Sequence, residues 1–172
     1  MAITVISCKE DRDYEQFIRF FIKYRHELTP PYPLDYTLHL ISTQISQGHI
    51  IMGLDEQGDP VGILTYYYGN PEDHFADRTG LHVEILIIKP EYRKSFAFLQ
   101  GFQYLINEVK RSGHDVTHIH FYADTESAYL RRLYSKFAKT AAKKEGHLGV
   151  LDVYSTTFEA VDAFFRPFRR KK

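Results

Sequence analysis

The sequence predicts an α/β (α+β) fold, a mixed central β-sheet flanked by helices in the order β-α-α-β-β-β-α-β-α-β. Three observations lead there. Helical apolar spacing fills most of residues 10–47. Two β-branched runs then flank a turn-rich stretch at 55–60, and beyond residue 80 apolar strands alternate with helical segments. The hairpin requires antiparallel pairing, whereas the strand-helix-strand units imply some parallel pairing, so the sheet is mixed.

Residues 3–7 form a short β-rich run. In KEDRDYEQFIRFFIKYRHEL, Tyr14, Phe17, Ile18, Phe21 and Tyr24 recur at helical spacing; Asp11 or Asp13 caps the first turn and Pro30-Pro31 ends the helix. A second helix over 35–47 presents Leu38, Ile41 and Ile45 on one face and stops at Gly48. HIIMGLDEQGDPVGILTYYYGN reads as a hairpin, with Tyr66, Tyr67 and Tyr68 alternating between faces of its second strand. A polar loop leads to the strand LHVEILIIK, which Pro90 stops. The next helix spans residues 95–111 and ends at Ser112-Gly113. The strand VTHIHFYAD follows, then a helix from 125 into the 140s, then the strand HLGVLDVYSTTF. Residues 158–172 close a single domain, 1–172, with a short Phe/Arg-rich helix and a basic tail.

Composition narrows the function. The 22 basic and 22 acidic residues balance, but the final RPFRRKK holds five of the basic ones and no acid. The body before it therefore carries 17 basic against 22 acidic residues, a net of −5. A polyanion binder needs the opposite sign, so nucleic acid is not the expected partner. One cysteine, Cys8, excludes an internal disulfide and a cysteine-cluster zinc site. The N-terminal run lacks a signal peptide's apolar core and no stretch reaches membrane-spanning length, so a cytoplasmic protein with no membrane partner is expected.

Most chemical motifs are missing. There is no Gly-x-Gly-x-x-Gly, no phosphate-binding loop ending in Gly-Lys-Ser/Thr and no Gly-x-Ser-x-Gly elbow. His118 and His120 share a strand face and could meet one ion, but no third ligand is evident, and no metal is expected. Phe158, Val161, Phe165 and Phe168 lie near a helical stripe among basic residues, which reads as a last helix packed on the sheet with a solvated end.

One segment carries a signal. LHVEILIIKPEYRKSFAFLQGFQYLINEVKRSG is a strand, a short connection and a helix, with Arg93, Lys94 and Ser95 where the helix begins. Unpaired N–H groups and two basic side chains at a helix N-terminus suit a phosphate or pyrophosphate. The segment resembles the central motif of the GNAT superfamily, the acetyl-CoA-dependent N-acetyltransferases, with Ile88-Lys89-Pro90-Glu91-Tyr92-Arg93 fitting its strand-end pattern V-x-P-x-x-R. YLRRLYSKFAK is similar to a later helix of that family at Leu133, Tyr134 and Lys136, and the element order agrees over residues 1–157.

The resemblance implies acetyl-CoA as co-substrate. By it, backbone groups of Leu86, Ile87 and Ile88 pair with the pantetheine arm, and Arg93, Lys94, Ser95, Phe96, Ala97 and Phe98 form the pyrophosphate loop. Glu84 stands where many members place a general base, and strand alternation would set it on the face of Leu86 and Ile88. Tyr134 matches the tyrosine that protonates the leaving thiolate, and Thr125 or Ser127 would replace a usual asparagine contact, since Ala128 stands at that asparagine's position. The sequence departs from the pattern at Phe96 and Phe98, which replace two glycines of the loop, and at Ala138-Lys139, which replaces Gly-Phe. The implied activity is acetyl transfer to a primary amine of a small molecule or protein by direct attack, with a homodimer left open. The alternative is a GNAT-fold module that binds CoA or a protein without catalysis. Whether the phenyl rings cover the loop amides discriminates the two.

Overall fold

The computed structural model describes residues 2–168. Seven strands form one sheet: β1 (Thr4–Ser7), β2 (His49–Leu54), β3 (Pro60–Tyr68), β4 (Gly80–Ile88), β5 (His118–Asp124), β6 (Lys139–Gly146) and β7 (Gly149–Thr157). Their spatial order is β1-β2-β3-β4-β5-β7-β6, and every neighbouring pair is antiparallel except β4 and β5. The helices are α1 (Asp11–Tyr24), α2 (Leu34–Gln47), α3 (Ala97–Ser112), α4 (Ala128–Tyr134) and α5 (Phe158–Phe165). The mixed sheet expected from the sequence is present with one additional strand.

That strand is β6. Residues 139–146, KTAAKKEG, were expected to continue a helix because Ala, Lys and Glu favour one. They instead form the sheet's exposed edge, while α4 stops at Tyr134. Pairing with β7 outweighs propensity here, and the lysines suit an edge that faces water.

Helices α1 and α2 cover one face. Phe17, Phe20 and Phe21 of α1 meet Ile50, Met52, Ile63, Ile85 and Ile87 of the sheet. Helix α2 buries Thr37, Leu40, Ile41 and Gln44, leaving Leu38 and Ile45 exposed; only Ile41 of the expected stripe faces the sheet. Asp13 receives the amides of Lys9 and Glu10 at 3.0 and 3.1 Å, so the α1 entry is tied from inside its first turn rather than by a capping aspartate ahead of it.

Helices α3, α4 and α5 pack on the other face. Phe102 is fully buried at its centre, with the rings of Phe98, Phe165, Phe137 and Phe121 at 4.6, 5.3, 5.7 and 5.8 Å. Each such ring contributes about 1.5–3 kcal/mol by burial. Helix α3 ends at Gly113, whose φ of 77° is the left-handed cap that glycine accepts without strain. Helix α5 is bound through Val161 and Phe165, whereas Phe168 is half-exposed; residues 169–172 of the basic tail lie outside the described residues. Among the described residues no helix is long and apolar enough to cross a membrane.

Candidate functional site

The sheet splits at its one parallel junction. Gly80–Val83 of β4 pair with His118–Phe121 of β5, and the ladder ends there. Beyond it β4 stays with β3 as far as Ile88, while Tyr122, Ala123 and Asp124 stay with β7. A cleft of about 300 Å³ opens between the separated ends. One wall is Leu86, Ile87 and Ile88; the other is the start of α4 with Ser127, Ala128 and Tyr129; Glu27, Leu28 and Thr29 close a third side.

Ladder bonds decide which backbone groups face that space. Lys89 N–H donates to Val61 C=O at 2.9 Å, and antiparallel pairing uses alternate residues, so Ile87 serves β3 while Leu86 and Ile88 turn their groups to the open side. Of the three residues expected to pair with pantetheine, two therefore offer a free edge. Arg93 already occupies part of it, with Nε donating to Ile88 C=O at 3.1 Å.

Glu84 sits at a β-bulge. Thr65 faces Ile85 and Tyr66 faces Val83, so Glu84 is the unmatched residue, and the Ile85 amide donates to the Thr65 hydroxyl at 3.2 Å. The extra residue reverses the alternation. Leu86 and Ile88 pack on the α3 face, whereas Glu84 and His82 look out on the α2 side. The face shared with Leu86 and Ile88 is thus corrected: Glu84 lies across the strand from them, next to the start of the cleft. His82 Nε2 is 3.0 Å from Glu84 Oε2, the imidazole is buried, and its Nδ1 has no partner. His82 was missed in the sequence, although its place two residues before Glu84 was the available signal.

Beside this pair lies a second cavity of about 230 Å³, walled by α2, the end of β3, β4, Tyr122 of β5 and the β6–β7 turn. Tyr36, Tyr67 and Tyr122 turn rings towards it, and burial pushes all three hydroxyls above the usual phenol range. They remain protonated at neutral pH and can donate hydrogen bonds.

The loop after β4 treats its two phenylalanines differently. Phe98 turns into the core and Phe96 outwards, 70% exposed. Gln100 N–H is the first amide of α3 to find a helical carbonyl, that of Phe96, which leaves the Phe96, Phe98 and Leu99 amides without helical acceptors. The Ser95 hydroxyl donates to Tyr92 C=O at 2.6 Å and accepts from the Ala97 amide at 3.1 Å, fixing the loop. Of this loop only Arg93 lines the cleft. Its guanidinium pairs with Glu27 at 2.9 Å and lies 4.9 Å from the centre of the Tyr129 ring, linking all three walls. Lys94 does not line the cleft.

On α4, Ser127 caps the helix, its hydroxyl accepting from Leu130 N–H at 3.4 Å; Thr125 bonds Val150 C=O through both its hydroxyl and its amide. Tyr129 lines the cleft with a buried hydroxyl that has no partner. Tyr134 is fully buried next to Phe121 and Tyr154 and does not itself line the cleft; burial, with Tyr129, Tyr154 and Tyr32 nearby, pushes its hydroxyl well above the usual range. His118 and His120 lie edge to face at 4.9 Å, and no group of three or more ligating side chains that could hold a metal occurs among the described residues.

The overall backbone is shared with solved structures. The chain aligns with an acetyltransferase of the GNAT family from Staphylococcus aureus Mu50 at TM-score 0.71 and 12% identity, covering 91% of this chain and 99% of that one. The fold is the GNAT fold. A ribosomal-protein-S5-alanine acetyltransferase from Vibrio fischeri shares the GNAT fold with this chain at TM-score 0.66 and 12% identity over 91% and 93% of the two chains. So does YncA from Salmonella typhimurium, solved with its cofactor acetyl-CoA, at 0.63 and 15% over 92% and 95%. No protein-family model and no curated protein matches the sequence. The GNAT likeness is thus carried by backbone geometry, with side chains largely replaced.

Proposed function

We propose that the chain transfers an acetyl group from acetyl-CoA to a primary amine. The observation that supports this best is the split between β4 and β5, which turns the Leu86 and Ile88 backbone edge towards a cleft of about 300 Å³, with only the Ile88 carbonyl taken, by Arg93. Pantetheine would add to that edge as a short strand, and the unpaired amides of Phe96, Phe98 and Leu99 would receive phosphate oxygens. Arg93 would hold the cleft walls and lend its charge.

In this reading the amine approaches from the Glu84 side of the bulge. Its nitrogen attacks the thioester carbonyl, the carbon–sulfur bond breaks, and CoA leaves as a thiolate. Glu84 takes the amine proton, with His82 holding the carboxylate at 3.0 Å. Tyr134 is the donor to the thiolate that the family resemblance suggests; burial keeps it protonated, but it lies behind the cleft wall and would have to be reached through α4. Tyr129 is the alternative donor: the residue lines the cleft, and its buried hydroxyl has no other partner.

Calorimetric titration with acetyl-CoA tests the cofactor half. Binding at ~1–100 µM is expected, lost in Ala128→Trp, which fills the cleft at α4. A folded protein that evolves no heat at several temperatures would overturn the reading. Amine-dependent release of CoA thiol tests the chemistry: Glu84→Gln should bind acetyl-CoA normally and lose about 10²–10⁴ in rate. Binding with no thiol release from any amine would instead favour a non-catalytic module, for which the exposed Phe96 ring is the supporting observation.

A further inference from the structure

The cavity beside Glu84 has a charge pattern more specific than a primary amine requires. Glu72, Glu84 and Glu145 all line it, and no lysine or arginine does so among the described residues. Glu72 and Glu84 act on the same rings, for both raise the pKa of Tyr36 and of Tyr122. The two carboxylates thus line one cavity together with the Tyr36 and Tyr122 rings. His82, buried and with Nδ1 unpartnered, forms part of the same wall.

One cation reaches the rim. Lys144 of β6 extends its ammonium over the face of Tyr122, 4.9 Å from the ring centre, and pairs with Glu72. Its side chain is 25% exposed, against 63% for Lys143, which pairs with Asp152. Carboxylate plus aromatic face is the chemistry that recognises an alkylammonium. The chain itself thus shows a cation seated at Glu72 and Tyr122, while Glu84 has no lysine or arginine partner among the described residues.

We propose that this cavity takes a linear alkyl amine bearing a second cationic group, and that Lys144 holds the second cation's seat until the acceptor displaces it. The assignment of the reacting amine to the Glu84 end rests on the acetyl-transfer reading; the binding itself does not. A single-charge amine gains Glu84 alone and leaves the Lys144–Glu72 pair in place. A dication gains both carboxylates and the Tyr122 face, giving up only the tethered lysine. An anion meets three carboxylates and is excluded.

The test is calorimetric titration of the whole protein, without acetyl-CoA, using linear α,ω-diaminoalkanes from butane to octane, with n-butylamine as the single-charge control. At least one diamine should bind about tenfold or more tightly than butylamine at low salt. Lys144→Met should tighten that diamine several-fold, because the seat at Glu72 and Tyr122 is then vacant. Glu72→Gln, a milder change, should remove the preference for the diamine. Equal binding of butylamine and all diamines, no binding of either, or a Lys144→Met protein with unchanged or weaker diamine affinity would each overturn the proposal. Diamine binding without thiol release would sink acetyl transfer and leave this site standing; thiol release with butylamine as good as any diamine would do the reverse.

Discussion

Replacing Gly101 with alanine should stabilise the protein. Gly101 lies inside α3, and a Cβ built there meets no heavy atom within 4 Å. The substitution therefore costs no repacking and gains no contact, so its effect is the helix preference of alanine over glycine, about 1 kcal/mol. With an unfolding entropy of about 2.1 cal/mol/K per residue, the 172 residues give about 0.36 kcal/mol/K, and the melting temperature should rise by about 3 °C. Gly62→Ala is the contrast, because its Cβ would stand 3.1 Å from the Ile87 carbonyl oxygen and 3.4 Å from an Ile88 side-chain carbon, forcing β3 and β4 apart. Thermal melts and urea titrations of both variants, read by far-UV circular dichroism, check the pair. A Gly101→Ala protein that melts at or below the parent temperature would refute the reasoning, since it would mean either that the methyl is obstructed or that residue 101 is not helical in solution.

Three other outcomes are expected. Phe102→Ala removes the ring at the meeting point of four others and should cost about 3–5 kcal/mol in urea unfolding. Arg93→Ala should cost about 1–2 kcal/mol with no ligand present, because it loses the Ile88 carbonyl bond, the Glu27 pair and the Tyr129 face; unchanged stability would mean that Arg93 does not hold the walls together. Stability should also fall on acidification below the ordinary histidine range. Burial lowers His120 and His49, with like charges from His118 and His82 adding at the first and His114 at the second, while Asp77 and Glu108 oppose. The unfolded chain then binds protons that the folded one resists, so their contribution is present above a pH of about 6.5 and lost as pH falls through that value. A urea midpoint that holds constant from neutral pH down to about 5, or a His120→Phe, His49→Phe double variant with the parent's slope, would refute this.

Periodicity and turn chemistry were strong enough to show the sheet class, the hairpin at Asp55–Asp59 and the α3 stop at Gly113, because each is dictated locally. Edge strand β6 was not legible, since KTAAKKEG is helical by composition and becomes a strand only through β7. The α2 face went astray for a similar reason: the sheet selects Thr37 and Gln44 over Leu38 and Ile45, a choice made by tertiary contact. At the site, Glu84 was visible from its place before Pro90, but its direction was not. A bulge shifts every later side chain by one face, and nothing in LHVEILIIK marks which residue is left unmatched. His82, Tyr122 and Glu72 come together across three elements and share no spacing that a linear reading could detect.

The short parallel ladder has a consequence for how the molecule opens. The ladder that joins the β1–β4 part of the sheet to the β5–β7–β6 part has only four residues of β4 and four of β5, extended by the Thr117 amide donating to Thr79 C=O at 2.9 Å, whereas β5 and β7 pair over seven. Residues 89–117, which carry α3, must close as one long crossover before that ladder can form. The junction should therefore be the last seam to knit during folding and the first to part in native-state fluctuations. Any molecule that lies in the cleft and touches both walls raises the free energy of that parting by mass action. Amide exchange at Leu81, Val83, Ile119 and Phe121 would then slow on occupancy, giving a record of ligand binding written in the backbone and independent of any chemistry performed.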